Sequence, residues 1–534
     1  MRVDRAPSPV SAVKAIVLSS MLVAALAAAG EPPISLAGPL RLWGATGGAA
    51  APNDFALPGD LRLHVGALAL GTSEWVTASQ LDAAGTPSAA GAQVSPLFRL
   101  GLTLSGPAHP GGLNYLVEYE QDLPTGSLAG TLPAGAGMPG GDGLLTELRK
   151  AYLQVAYGSA LIVRGGVMTS HFGLGLVTND GAHGWTPGSA SFTDPRGGDR
   201  VLRGLVATGP HMPLGLVAAV AVDRVLEDDT LLLARQQTRS GSPAPGDDVA
   251  SQLVGTVSIG RPDEAWAGVF LARRSQTAAD GRTLDATIAS VSGLGRRQLA
   301  SGSVLSGGFE GAFITGTTDF AGTPSQPLQQ LRQAALALRG GADLGRYGFA
   351  FDGLLASGDS NLDDDQQTAF RANPNYELGM VLFHQVLAAQ SARASFTAGD
   401  PRLVGVPAPG VERLPTRGAI SNTVTVFPRA FVRPMQGVEV YGGPLFAWTV
   451  TPPVDPFNTN LAGGSLRNAL GGDPGKYYGT ELDLGARGRF LVGAVKVQVG
   501  VEGGVLVPGG ALDRADGTPL PLVVGARTML GLEL

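Results

Sequence analysis

The chain reads as an all-β protein: a closed, up-and-down antiparallel barrel of about 18 strands (about 16 as the alternative) that crosses a membrane. Three observations predict this. Stretches of alternating apolar and polar residues recur from about residue 61 to the last residue. That period of two puts one set of side chains on each face of a strand. The connections alternate too, one long and polar, the next short and turn-like, as in barrels with long outer loops and short periplasmic turns. Finally, no apolar run after residue 30 approaches the roughly 18–20 residues a spanning helix needs. Strands must therefore do the spanning, since only helices and closed barrels satisfy their backbone in hydrocarbon.

The strands follow in chain order near 61–73, 94–105, 112–121, 147–158, 160–169, 199–208, 213–223, 249–260, 264–274, 282–291, 303–315, 329–343, 345–357, 420–433, 436–450, 476–489, 491–505 and 520–534. The alternation is plainest in a few. Phe98, Leu100, Leu102 and Leu104 alternate with Arg99 and Thr103. Tyr115, Val117 and Tyr119 alternate with Glu118 and Glu120. Val495, Val497, Val499 and Val501 alternate with Lys496, Gln498 and Glu502. Each has one face suited to lipid and one to water.

The even connections are short and rich in turn formers, among them Gly158-Ser159, Gly209-Pro210-His211, Arg261-Pro262-Asp263 and Pro434-Met435-Gln436. The long odd ones are 122–146, 170–198, 224–248, 358–419 and 451–475. Length alone suggests several domains, yet no linker interrupts the rhythm, so a single barrel over 61–534 accounts for it. The last strand carries Leu530, Leu532 and Leu534 on one face up to the end. Outer-membrane barrels resemble this in ending on a strand with a terminal hydrophobic residue that the assembly machinery reads. Leu534 departs from them in standing where an aromatic is usual.

Composition agrees. Charged residues are 15% of the 534, mean hydropathy is +0.15, and there is no Cys. The net charge of −6 argues against a nucleic-acid partner. Only Lys14, Lys150, Lys476 and Lys496 are lysines, a bias that the codon usage of a GC-rich genome explains without special Arg chemistry. Arg2, Arg5 and Lys14, the apolar Ala15–Leu26 and Ala27-Ala28-Ala29 read as a secretory signal over 1–29. Residues 30–60 then form a periplasmic segment. The expected surroundings are outer-membrane lipid and lipopolysaccharide, the barrel assembly machinery and small hydrophilic solutes.

Assigning the polar face inward predicts a lumen track of Arg62, Arg99, Lys150, Arg164, Arg203, Arg273, Arg346, Asp352, Arg429, Arg433, Glu481, Asp483, Arg487, Arg489, Lys496 and Glu502. Glu118, Glu120, Asp285, Glu310, Arg527 and Glu533 join it. Positives outnumber negatives. Two readings stand: a basic track favouring anionic or polyhydroxylated solutes, or a self-neutralising ion-pair network that packs the wall.

The long loops hold further candidates. Asp359, Asn361 and Asp363 have a D-x-N-x-D spacing able to wrap Ca²⁺. However, Asp364 stands where an EF-hand requires Gly, and Phe370 where it requires Glu; a solvated charge run is the alternative, and no other cofactor is expected. Tyr376, Met380, Phe383 and Leu387 recur at helical spacing, so a short helix over 376–389 folds into the mouth as a constriction or packs on the rim. His171, Asn179 and Asp180 are constriction candidates in 170–198. Ser170, His171 and Asn179 also supply the residue types of outer-membrane phospholipase-like barrels. Adjacent residues at a strand end point to opposite faces, though, so Ser170 and His171 do not pair as nucleophile and base. The chain is therefore expected not to be an enzyme.

The strand with Ala151-Tyr152-Leu153-Gln154, followed by Arg164-Gly165-Gly166-Val167 and the run Ser170 to Gly181, resembles outer-membrane porins. In these, an A-Y-x-x strand precedes a G-x-x-x strand leading into a constriction loop. The segment looks similar to little-characterised proteobacterial barrels and, more loosely, to alginate-export barrels. The resemblance implies solute passage. It leaves open an exopolysaccharide export channel, or a plugged barrel that binds partners through its outer loops.

Overall fold

The computed structural model describes residues 54–88, 91–106, 112–126, 129–130, 144–181, 197–238, 248–261, 264–361, 363–398, 400–404 and 414–534. The expected signal peptide, most of segment 30–60 and much of loop 122–146 lie outside the described residues.

Eighteen long strands close into one antiparallel barrel. They are β1 (Leu61–Val76), β2 (Gly91–Ser105), β3 (Leu113–Gly126), β4 (Leu144–Tyr157), β5 (Leu161–Thr169), β6 (Arg200–His211), β7 (Leu216–Glu227), β8 (Val249–Arg261) and β9 (Ala265–Thr277). There follow β10 (Thr283–Gln298), β11 (Val304–Thr318), β12 (Gln329–Asp343), β13 (Tyr347–Ala356), β14 (Thr423–Met435), β15 (Val438–Thr449), β16 (Tyr477–Val492), β17 (Val495–Pro508) and β18 (Val523–Glu533). Each pairs with its chain neighbour, and β18 returns to β1 in a register running from Leu68↔Glu533 to Val76↔Gly525. Closure leaves no unpaired strand edge, which is what hydrocarbon demands. Short segments at Asp54–Leu57, Ala129–Gly130 and Gln366–Gln367 pair onto the wall without adding to the ring.

The pleat explains the faces. Along β9, burial alternates at every residue: Trp266, Phe270, Ala272 and Arg274 point in, and Val269 and Leu271 point out. Outward Leu202, Val220, Leu253, Phe313, Leu336, Phe349, Leu484 and Leu530 extend the same apolar band around the ring. In water such a continuous apolar surface would be far larger than a soluble monomer shows; in a bilayer it is the solvated face. Aromatics mark its edges: Tyr157 and Tyr347 adjoin short turns, while Trp448 packs on Tyr477, centroids 5.4 Å apart, at the opposite rim. An even-stranded barrel of this form is the bacterial outer-membrane architecture.

Turns and loops segregate by end. The connections at 158–160, 212–215, 344–346, 436–437 and 493–494 are tight, while 170–199, 228–248, 357–422 and 450–476 are long. All the long ones leave the same rim. In their described parts three of them turn back into the barrel: 170–199, 357–422 and 228–248, whose helix Asp229–Thr238 buries Leu231 against Tyr152 and Met168 and Ala234 against Leu284. Leu174, Leu176, Phe370, Tyr376, Leu382, Phe383 and Val386 are buried against inward wall residues such as Ala337, Leu354, Phe427 and Leu445. The interior of this barrel is thus largely a protein core, built from loop and wall together.

The helix expected over 376–389 begins later. A π-helical turn occupies Leu382–Leu387, with Val386 N–H on Val381 O at 3.0 Å, and an α-helix continues over Ala388–Ala398. Tyr376 precedes both. Gly379, at φ +71, breaks the helical path between Tyr376 and Phe383, because the left-handed conformation cannot sit inside a right-handed helix.

Candidate functional site

Two wall carboxylates hold the inserted loops. Glu310, inward on β11, accepts the N–H groups of Leu174 (2.7 Å) and Leu176 (3.1 Å), and Ser290 Oγ supports it at 3.0 Å. Glu481, inward on β16, accepts Val381 N–H and Leu382 N–H, each at 2.8 Å, and also Met380 N–H. Both carboxylates are 0% exposed. Successive N–H groups around a left-handed residue form an anion-binding concavity. The residue that opens it is a glycine in both cases. Gly173 has φ +60, and a Cβ there would lie 2.7 Å from Glu310 Oε2; Gly379 has φ +71, and a Cβ would lie 3.0 Å from Glu481 Oε1. The loops are therefore latched through their backbones.

Other contacts carry each loop across the lumen. Gln385 Nε2 reaches Glu74 on β1 at 2.8 Å, and Arg393 Nε reaches Asp82 at 2.9 Å. Arg527 on β18 lies 3.4 Å from Glu377. Phe172 packs edge-on to Trp266 and against Phe270, centroids 5.6 and 5.4 Å apart. Arg149 donates to Asp180 O at 2.9 Å and to Gly197 O, tying both ends of 170–199 to β4.

The expected lumen charges are mostly brought together as pairs. Arg99 binds Asp122, and Arg203 binds Asp223 with Nε–Oδ1 at 2.7 Å. Lys150 lies between Glu118 (2.9 Å) and Glu120 (3.4 Å). Asp352 takes both Arg339, at 2.8 Å, and Arg429. Arg433 spans Asp343 and Glu439, and Arg487 reaches Glu439 at 2.8 Å. Glu502 takes Arg527 at 2.6 Å and the Tyr441 hydroxyl. Arg164 donates to Gln154 and stacks over Tyr152 at 4.8 Å. Asp483 is buried two residues from Glu481 on the same face, and Arg489 lies half-buried further down β16. Arg62 and Lys496 sit at the periplasmic end, Lys496 on Glu533 at 2.7 Å. The excess of positives expected from the sequence is therefore answered by acids on neighbouring strands.

Three placements differ from expectation: Arg273, Asp285 and Arg346 do not line the lumen. Arg273 points outward with its side chain 58% exposed and meets Asp285, also outward, at 3.6 Å; its neighbour Arg274 is the inward one. The assumption that apolar side chains face lipid fails here, because the inward face of β9 carries Trp266 and Phe270 to receive Phe172. Near the outer rim, a paired Arg273 and Asp285 leave the apolar band. Arg346 lies in the exposed turn 344–346, where its carbonyl accepts Arg433 N–H at 2.7 Å; β13 begins only at Tyr347, so Arg346 has no place on the lumen wall. Arg149 was missed for the opposite reason. Strict alternation from Lys150 sends it into lipid, but the register of β3 and β4 shifts between Glu120 and Gln121, and the bulge turns both cations inward. The signal was the Arg149-Lys150 pair itself, which no simple alternation accommodates.

The loop candidates separate into exposed and packed. His171 Nδ1 lies 3.4 Å from Asp180 Oδ1, and both side chains keep about a quarter of their exposure (26% and 29%). Burial opposes the charge on His171, but the Asp180 and Glu310 carboxylates outweigh it and raise its pKa. Asn179, Tyr376 and Phe383 are buried in the loop packing. Ser170 Oγ accepts from Arg203 at 3.1 Å, while the imidazole of His171 lies against Asp180, so each side chain has a partner other than its neighbour. Asp359, Asn361 and Asp363 direct their oxygens to local donors: Asn361 N–H and Thr368 N–H on Asp359, Asp363 N–H on Asn361, and the Thr323 and Ser325 hydroxyls on Asp363. They make successive Asx turns; among the described residues no group of three or more His, Asp or Glu is placed to hold a metal ion.

Among the described inward charged groups, exposure persists at Arg339 on β12, whose side chain is 41% exposed, and as a cluster on β3–β5. There Glu118 and Lys150 retain 23% and 25% of their side-chain exposure, and Arg164 is half-buried. The fold and this interior define a transmembrane barrel whose lumen is narrowed by loops latched to its wall.

No family model matches the chain, and no curated protein matches it. Solved structures similar to it include OccK2 (OpdF) of Pseudomonas aeruginosa in complex with glucuronate, at 8% identity, covering 91% of this chain and 99% of that one with a TM-score of 0.47. OccAB1 of Acinetobacter baumannii is similar at 9% identity, covering 88% and 96%, with a TM-score of 0.46. The outer membrane protein OprD of Pseudomonas aeruginosa is similar at 10% identity, covering 88% and 94%, with a TM-score of 0.46. At such identities nothing passes from those side chains to these.

Proposed function

We propose that this protein is an outer-membrane channel for small hydrophilic solutes, with a constricted path along the β3–β5 wall past His171 and Asp180. The observation that carries this is the pattern of exposure. Most charges under the latched loops are buried with partners, whereas Glu118 and Lys150, paired with each other, and Arg164 form a cluster that stays open to water on one side of the lumen, as Arg339 alone does on β12. A low-dielectric channel with both signs on its wall favours small polar solutes that replace hydration on both sides. A preference for anions does not follow, because the arginines that suggested it have acid partners. Lipid and lipopolysaccharide would surround the apolar band, and the assembly machinery would insert it.

Single-channel recording in planar bilayers tests this. The expected result is a small, steady conductance with weak charge selectivity. A folded barrel without conductance would sink the channel reading. It would favour the plugged barrel that binds partners through outer loops, a reading supported by the deep burial of Leu382, Phe383 and Val386. Polysaccharide export would require loop 357–422 to withdraw from the lumen entirely.

A further inference from the structure

Between the β6–β12 wall and the inserted loops lies a chamber of about 170 Å³. Its floor is apolar, formed by Phe270, Ile288, Ile314 and Leu331 from the wall, Phe320 beyond β11 and Phe370 from the loop. Its charged groups gather at one side: Asp199, Asp228 and Asp229, with Arg274 and Arg371.

These groups are not equivalent. Arg274 donates to both oxygens of Asp228. Arg371 and Arg417 approach Asp229 at 3.3 and 3.2 Å. Asp199 meets neutral donors instead: Asn179 N–H at 3.0 Å, and the Asn373 side-chain amide at 3.1 Å from each oxygen. It is 8% exposed. A carboxylate buried without a cation is costly. Burial, and then the charge of Asp228, accordingly push its pKa well above the usual carboxylate range. The two asparagine donors nevertheless fix its orientation at the chamber wall.

We propose that this chamber binds a small organic cation of the arylalkylamine class, its ring against Phe270, Phe320 and Phe370 and its ammonium against Asp199. Size fits the ring: an apolar cavity of about 150 Å³ accommodates benzene, and the short arm would run along the polar side of the chamber to Asp199. Charge decides the sign. An entering carboxylate would meet three acids, Asp199, Asp228 and Asp229, against two arginines, Arg274 and Arg371, each of which already holds one of them. An ammonium displaces neither arginine and gives Asp199 a cation in direct contact, where Arg274, held by Asp228, acts on it only at a distance. The site stands whether or not the barrel conducts.

The test is calorimetric titration of the full barrel in detergent with 2-phenylethylammonium chloride and, separately, with sodium benzoate. The amine is expected to bind one per chain and benzoate at least tenfold more weakly. Asp199→Asn should weaken the amine at least tenfold. Thr230→Trp, which puts an indole into the chamber from a half-exposed helix position, should abolish binding. A folded-barrel shift on unheated electrophoresis gels certifies each variant. If Asp199→Asn does not fold, Thr230→Trp and the amine–benzoate comparison decide. No amine binding by the parent, benzoate binding as tight as the amine, or parental binding by the folded variants would overturn the proposal. Bilayer conductance is recorded apart: amine binding without current removes the channel and keeps the chamber, and current without amine binding does the reverse.

Discussion

Replacing Glu481 with Gln should loosen loop 357–422 without unfolding the barrel. The carboxylate takes three backbone N–H groups, from Met380, Val381 and Leu382. Hydrogen bonds to a charged acceptor contribute roughly 1.5–3 kcal/mol, against roughly 0.5–1.5 for a neutral one. Losing the charge on three bonds therefore costs about 3 kcal/mol of seating free energy, or about a hundredfold in the released population. The loop stays seated most of the time, because burial of Leu382, Phe383 and Val386 contributes roughly 1.5–3 kcal/mol each. The chain has no Cys, so Leu382→Cys gives a unique probe at a position 0% exposed. In barrels shown to be folded by their gel shift, a soluble maleimide should label Leu382→Cys about a hundredfold faster when Glu481→Gln is also present. Equal rates in the two backgrounds would refute the latch.

Three further outcomes follow from the same geometry. Gly379→Ala puts a Cβ at φ +71 and 3.0 Å from Glu481 Oε1; with a cost of about 1–2 kcal/mol, it should raise the same labelling rate several-fold. Arg149→Met leaves Glu120 with Lys150 and Arg99 but removes the charged donor from the Asp180 and Gly197 carbonyls, a loss of roughly 1.5–3 kcal/mol for each of those bonds; protease cleavage within 170–199 and single-channel current should both rise, and unchanged values would count against its anchoring role. Burial pushes Asp359 up to about 6, from an ordinary 3.8. Between those values the seated loop binds more protons than the released one, so its stability is full below the lower value and falls as pH rises through the upper. The change is at most roughly 3 kcal/mol, less after solvent screening. The protection of amides around 359–368, measured as exchange relative to an unstructured peptide at the same pH, should rise on acidification from pH 7.5 to 5, and Asp359→Asn should flatten that response; lower protection at pH 5 in the parent would contradict the sign.

The wall of this protein was legible because lipid imposes a strict rule on it. All eighteen expected strands correspond to a strand of the ring, since an apolar side chain at every second residue admits few alternatives. The rule fails where its premise does. On β9 the inward face carries Trp266 and Phe270 because a loop, not water, covers it, and so Arg273 was assigned to the wrong side. At Arg149 a bulge overrides the alternation. The pairing of Arg99 with Asp122 or Arg433 with Asp343 depends on register, which a single strand does not reveal. The latches were invisible for a different reason: on the loop side they consist of backbone N–H groups, which every residue but proline has. Only Gly173 and Gly379 mark them, among 79 glycines.

A clasp that grips amide hydrogens is indifferent to the side chains hung on them. At the gripped amides only the glycine and the apolar underside are fixed, and the side chains facing the passage can be rewritten while Glu310 and Glu481 hold the backbone. The barrel then serves as a socket and the loop as a cartridge: a transplanted segment needs its amides after a left-handed glycine, and the side-chain ties to Glu74 and Asp82 then set how far across the lumen it reaches.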